Sequence, residues 1–269
     1  MSVICVGDFG KVCKGQGDVA KLIKQIIGEK KVELILGLGD NIYPSGVKSV
    51  DDKKFKVQFE EPFSKLPKNI KFYNVLGNHD YMGNTNAQIE YTEKSKRWRL
   101  IDHWYHFTET IGKSLVGFYA LDTNFDELTL DMKTRQQSDI LKCLQESKCD
   151  WNIVYGHHPF KSTGYHGNSK GHLQEFYQTL IDTGKIHIIL SGHDHDQQLF
   201  TVPNTPTLVV SGAGCEIRPV PLLYRNDPFL KYFSESLGVC QLEFTKKELS
   251  IVFYSVGSKK KIVKKIIKR

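Results

Sequence analysis

An α/β fold with two sheets is what this sequence predicts, on two observations. Short apolar runs alternate with segments of helical apolar spacing through roughly the first 190 positions, the pattern of a largely parallel sheet flanked by helices. Beyond that point strand-like runs follow one another, broken by Pro, Gly and Asn, so the second half closes a second sheet.

In chain order, Ser2–Val6 reads as a strand ending in Gly7-Asp8-Phe9-Gly10. Val19, Leu22, Ile23, Ile26 and Ile27 fall on one helical face, with Gly28 as the stop. The strand at 33–38 runs into Gly39-Asp40-Asn41-Ile42-Tyr43. Phe55, Phe59, Phe63 and Leu66 then mark an amphipathic helix of core phenylalanines, broken near Pro62. Lys71–Leu76 is the third strand and delivers Gly77-Asn78-His79-Asp80-Tyr81. The polar, aromatic stretch 82–107 reads as a long loop beside the site, its tryptophans packing it down or lining a groove. Leu115–Leu121 is a strand ending in Asp122, read as structural, and Ile140, Leu141 and Leu144 mark the next helix. Trp151–Tyr155 delivers Gly156-His157-His158, Leu173 to Ile181 is a helical face, and Ile186–Leu190 delivers Gly192-His193-Asp194-His195. Strands at 198–202, 207–211, 237–244 and 249–256 complete the chain.

The 269 residues, 40% hydrophobic and 25% charged, suit one globular domain over 1–269 rather than a disordered or fibrous chain. No apolar run is long enough to cross a bilayer. The first strand begins at once, without room for a signal peptide, so the expectation is a soluble intracellular protein, or a secreted or lysosomal one if the chain is a mature form. Six cysteines without metal-ligand spacing read as reduced thiols, although Cys143 and Cys149 could pair in an oxidising compartment. The formal charge of +7 invites a nucleic-acid or membrane partner, yet positions 259–269 hold seven basic groups and no acid, which leaves the body neutral.

A single Gly-Asp after a strand is an ordinary turn. Five strand ends that each deliver Asp, Asn or His are not. Asp8, Asp40, Tyr43, Asn78, His79, His157, His193 and His195 supply carboxylates, a phenol, an amide and imidazoles, the donor set of hard to borderline metal ions, and no cysteine cluster suggests a structural zinc site. The pattern describes an open catalytic metal centre.

These five blocks resemble those of the calcineurin-like metallophosphoesterases. Tyr43 narrows the resemblance to the purple acid phosphatases, and the compact chain is similar to their small, tartrate-resistant type. Leu121-Asp122-Thr123 and Ser211-Gly212-Ala213-Gly214 extend the likeness to about residue 216. The resemblance implies a four-layer αββα sandwich of two mixed sheets between helices. It implies two metal ions: Asp8, Tyr43 and His195 at the first, Asn78, His157 and His193 at the second, and Asp40 bridging. Fe(III) is implied at the first position and Fe(II), Zn(II) or Mn(II) at the second, consistent with anionic oxygen donors for a trivalent ion. The implied reaction is phosphate monoester hydrolysis by a metal-bound hydroxide, on a phosphorylated small molecule or phosphopeptide. His79 and His166 become catalytic and substrate-binding groups, Asn78 borders the substrate, and Asp80 orients the His79 ring. His158 is left open, as a supporting or surface residue, and His103, His106, His172 and His187 are read as structural.

Two alternatives accompany this reading: a phosphodiesterase using the same metals, and a binding or redox protein that keeps the fold without turnover. The groove is expected from loops around 82–107, 158–170 and 215–235, in a monomer. Two departures stand out. The small relatives carry a signal peptide, and in a reducing cytosol a different metal pair is conceivable. The basic end, with Ile262, Val263, Ile266 and Ile267 among lysines, suits either a closing strand with a solvated end or an amphipathic segment touching anionic lipid or nucleic acid.

Overall fold

The computed structural model describes residues 1–245 and 247–258, and the backbone of 262–268. Its strands, in chain order, are β1 (Ser2–Val6), β2 (Val32–Gly37), β3 (Phe72–Asn74), β4 (Trp98–Arg99), β5 (Tyr105–Ile111), β6 (Ser114–Ala120) and β7 (Trp151–Tyr155). There follow β8 (Ile188–Ser191), β9 (Gln197–Phe200), β10 (Thr207–Ser211), β11 (Leu230–Ser234), β12 (Gly238–Phe244), β13 (Glu248–Ser255) and β14 (Ile262–Lys268). The helices are α1 (Lys14–Glu29), α2 (Asn78–Tyr81), α3 (Thr85–Lys94), α4 (Leu130–Glu146) and α5 (Gly171–Ile181).

Two seven-stranded mixed sheets result, ordered β14-β13-β12-β1-β2-β3-β4 and β11-β9-β10-β8-β7-β6-β5. The pleat distributes their side chains. Val116, Phe118, Ile153, Tyr155, Ile188 and Leu190 point into the core shared with the first sheet, whereas Tyr119, Val154 and Ile189 join the cluster under α4 and α5. On the other side Val19, Ile23 and Ile26 of α1 pack against the first sheet, and so do Phe55, Phe59 and Phe63. Helices, sheet, sheet, helices is the four-layer sandwich that the resemblance implied.

Several expectations need correction. Gly28 does not stop α1, which runs on to Glu29 and is capped by the extended Lys30. The phenylalanine segment is a π-helical turn over Phe55–Glu60 rather than an α-helix, with Glu61 N–H donating to the Lys56 carbonyl at 2.9 Å. Residues 82–107 are not a long loop: α3 and β4 lie within them and β5 begins there. Trp98 is fully buried among Phe55, Phe59 and Tyr91. The runs at 237–244 and 249–256 do not close the second sheet. As β12 and β13 they return to the first, where β12 pairs antiparallel with β1. At the chain's end β14 pairs antiparallel with β13, so backbone pairing prevails over the helical spacing of its isoleucines. The remainder of the basic stretch, 259–261 and 269, lies outside the described residues.

Candidate metal centre

Strands β1, β2 and β3 are parallel neighbours and end at one edge. Parallel β7 and β8 end opposite them. Gly7 and Gly192 let the two edges meet: a Cβ on Gly7 would stand 3.0 Å from the Gly192 Cα, closer than side chains tolerate. Gly7 N–H donates to Ser211 O at 2.8 Å, and Gly192 N–H to His157 O at 3.0 Å.

Among the described residues, four that are not glycine adopt a left-handed backbone. Three of them are Asp8 (φ 58°), Asp40 (φ 52°) and His193 (φ 68°). Such a conformation costs on the order of 1 kcal/mol or more per residue, and it turns each side chain back across the strand end towards the gap between the sheets.

Two clusters of donor atoms converge there. In the first, the Tyr43 phenolic oxygen lies 2.8 Å from Asp40 Oδ2, 3.2 Å from Asp8 Oδ1 and 3.3 Å from His195 Nε2. In the second, His157 Nε2 lies 3.1 Å from Asn78 Oδ1, 3.2 Å from His193 Nδ1 and 3.5 Å from Asp40 Oδ1. Asp40 belongs to both, one carboxylate oxygen facing each. The surrounding backbone holds the carboxylates: His79 N–H donates to Asp40 Oδ1 at 3.0 Å, and His193 N–H to Asp8 Oδ2 at 2.9 Å. His157 Nδ1 lies 2.9 Å from the Leu38 carbonyl, which can only accept, so Nδ1 carries a proton and Nε2 is the ring atom that faces the cluster.

The electrostatics suit cations. Burial pushes the Tyr43 phenol far up, and Asp8 and Asp40 push it further. Burial would lower His157, but Asp40 and then Asp8 outweigh it and hold that imidazole above its ordinary range. His193 lies far below the ordinary range, through burial and then the repulsion of His157 and His158. Carboxylate, phenol and amide oxygens beside imidazole nitrogens fit a pair of metal ions.

His79 is partly exposed. Its Nδ1 donates to the Pro44 carbonyl at 2.6 Å, and its Nε2 stands 4.0 Å from Asp40 Oδ2. Asp80 therefore does not orient that ring. Its carboxylate accepts from the backbone N–H groups of Gly77 (2.8 Å), Asn41 (3.1 Å) and Ile42 (3.1 Å) and from Gln88 Nε2 (2.9 Å), tying the two ligand-bearing loops together. The His166 ring packs against His193 at a tilt of 33°, with ring centroids 4.1 Å apart. Its N–H donates to Asp194 Oδ1 at 2.8 Å. His158 is anchored to Thr123 Oγ1 at 2.9 Å, with its ring against His193.

A cavity of about 580 Å³ opens from Asn78, His158, His166 and His193 towards 124–127 and 167–173, with Lys133 and Lys170 on its walls. Neither 82–107 nor 215–235 lines it, contrary to expectation: the first packs into the core, and Arg218 of the second reaches the site from the other side of His166. Arg218 and Asp194 were missed by the sequence reading. Asp194 left a signal, a carboxylate between two histidines; Arg218 left none, because only the fold brings its loop to His166. Asp122 accepts from Tyr81 Oη and lies 2.9 Å from His103 Nδ1, away from both clusters. All six cysteines are free thiols.

A family model described as calcineurin-like phosphoesterase matches residues 1–197. Tartrate-resistant acid phosphatase type 5 of Oryctolagus cuniculus is 31% identical over 295 residues, covering 99% of this chain and 90% of that one. Purple acid phosphatase 4 of Arabidopsis thaliana is 30% identical over 276 residues, 96% of this chain and 80% of its own. Among solved structures, GAP50, described as the anchor in the inner membrane complex of Plasmodium, shares the fold with a TM-score of 0.86 at 23% identity, covering 100% of this chain and 90% of that chain. A dimetal phosphatase from Danio rerio gives a TM-score of 0.63 at 10% identity, over 98% and 99% of the two chains.

Proposed function

The chain belongs to the calcineurin-like phosphoesterase family, and from that premise we propose that it hydrolyses phosphate monoesters at a two-metal centre, as an acid phosphatase. The observation that carries this reading is the division of Asp40, one oxygen to each donor cluster. Asp8, Tyr43 and His195 would hold the first ion, Asn78, His157 and His193 the second, with Asp40 shared between the two sets. Fe(III) suits the first set because phenolate and carboxylate are anionic oxygen donors; Fe(II), Zn(II) or Mn(II) suits the second. Bound metals would supply Lewis acidity to the phosphoryl oxygens and lower the pKa of a water molecule.

The chain's own groups do the rest. His79, with Nδ1 fixed on the Pro44 carbonyl and Nε2 4.0 Å from Asp40 Oδ2, is the group assigned to pass a proton to the leaving oxygen. Asn78 borders both the second donor cluster and the cavity. His166 closes the far side. Lys133 and Lys170 favour an anionic phosphorylated small molecule or phosphopeptide in the cavity, and the site is complete within one chain, consistent with a monomer. Six free thiols favour a reducing, intracellular setting. Among the described residues no helix is long and apolar enough to cross a membrane.

The test is the initial rate on p-nitrophenyl phosphate and on bis(p-nitrophenyl) phosphate, with metals counted per chain. A monoester preference with two metals supports the proposal. A diester preference moves the substrate class, and two bound metals without turnover of either ester favour a binding or redox role.

A further inference from the structure

His158 and Thr123 stand at the mouth of the cavity, and the function above leaves both unused. One nitrogen from each of the His157, His158 and His193 rings lies within 4.8 Å of the other two, so His158 adjoins the second donor cluster. Its ring centroid is 4.5 Å from that of His193, and it lines the cavity together with Asn78 and His193. Spacing alone would permit a third imidazole ligand. Thr123 decides otherwise. Its hydroxyl oxygen accepts from the His157 N–H at 3.1 Å and from the His158 N–H at 2.9 Å, which uses both lone pairs. The one hydroxyl proton is left for His158 Nδ1, 2.9 Å away. The Thr123 side chain is buried, and its methyl sits where only a glycine leaves room, since a Cβ on Gly156 would stand 2.5 Å from it.

An Nδ1 that accepts carries no proton, so the imidazole is uncharged and its proton sits on Nε2. A protonated Nε2 has no lone pair for a metal; it is a donor. Among the described residues no group accepts that proton, and Nε2 is not closed off inside the protein, which leaves it to the cavity. A phosphoryl oxygen next to the second cluster is an acceptor of the right kind at that place. Resting on the phosphatase reading, we propose that His158 is a further substrate-binding residue: oriented by Thr123, it donates its Nε2 proton to a phosphoryl oxygen beside the second donor cluster and does not ligate metal. The same contact serves released phosphate, so substrate and product gain from it alike.

The experiment measures calorimetric binding of inorganic phosphate and the KM for p-nitrophenyl phosphate on the full-length, zinc-loaded chain, for wild type, His158→Leu and His158→Gln, with metals per chain counted. Loss of a hydrogen bond to a charged acceptor predicts that His158→Leu weakens phosphate binding and raises KM by about tenfold to a hundredfold at unchanged metal content, with kcat changing less. His158→Gln should recover most of that loss, because its amide N–H reaches about as far as Nε2. Loss of a metal from His158→Leu would make the residue a ligand, and unchanged phosphate binding would remove it from the substrate; either result overturns the proposal. Long-range proton–nitrogen correlations of the zinc-loaded wild type read the tautomer directly: the ring proton of His158 should appear on Nε2, and a proton on Nδ1 would refute the role given to Thr123. Thr123→Val should weaken phosphate binding in the wild-type background and not in His158→Leu, since the hydroxyl acts through the ring; equal losses in both backgrounds would contradict that coupling. A wild type that binds phosphate through His158 but hydrolyses no monoester would refute the phosphatase reading and leave the contact standing.

Discussion

Tyr43 sits where its oxygen meets two carboxylates and an imidazole, and burial and both carboxylates oppose loss of its proton. A phenolate there needs a cation. Tyr43→Phe should therefore abolish visible charge-transfer absorbance of the iron-loaded protein, and a surviving band would place the chromophore elsewhere. Asp40→Asn should bring turnover to background and reduce metal content at both positions; full content of two metals would contradict the bridge. His79→Ala should retain both metals and slow turnover by about 10²- to 10⁴-fold, the usual weight of a general acid. The ligand types were legible because each sits at a fixed offset from a strand and a glycine. Arg218 was not, since its loop is joined to His166 only by folding, and Asp80 was misread because adjacency in sequence suggested a partner that Pro44 supplies in space.

At the scale of elements, the short helix α2 owes its position to Asp80, whose carboxylate is fully buried and satisfies three backbone N–H groups from two loops. Asp80→Ala would leave those donors unpaired, and urea unfolding should show a loss of at least about 3 kcal/mol. An unchanged midpoint would mean that water replaces the carboxylate. Another tie joins the loop after β7 to the one before β11: Lys161 Nζ lies 2.5 Å from Asp227 Oδ2. Partial burial pushes the Asp227 carboxyl up, but Lys161 and the Phe229 N–H outweigh it and hold it below its ordinary value. A depressed carboxyl stabilises the fold above its unfolded pKa and loses that contribution as pH falls through the folded one. The thermal advantage of wild type over Asp227→Asn should thus be full at neutral pH and shrink progressively as pH falls below about 4; a difference independent of pH would remove Asp227's charge from the account. Parallel strands were readable as apolar runs buried on both faces. Segment 82–107 was not, because α3 has a weak apolar stripe and β4 is two residues long, so both depend on tertiary packing around Trp98.

For the whole molecule, both sheet faces are covered, and the first sheet ends in β14. Truncation after Ser258 would uncover the edge of β13, whose Leu249, Ile251 and Phe253 are core residues. The truncated chain should melt lower and aggregate sooner. Sedimentation with anionic vesicles then tests the other reading of the basic tail: binding by the full chain and not by the truncated one would give it a surface role besides pairing. The two-sheet plan was legible from the change in pattern near residue 190; the return of β12 to β1 was not, since strand order leaves no mark in periodicity.

That return sets a timetable. β1 is made before either of its neighbours, and it pairs on one side with β2 and on the other with β12, so Cys5 lies opposite Cys240. At about 5–20 residues per second, translation takes on the order of 10 to 50 seconds to make that second neighbour. Until then β1, the strand that ends at Asp8, has β2 beside it and not β12. The strand that presents Asp8 therefore gains its second neighbour only after every other donor-bearing segment has been made.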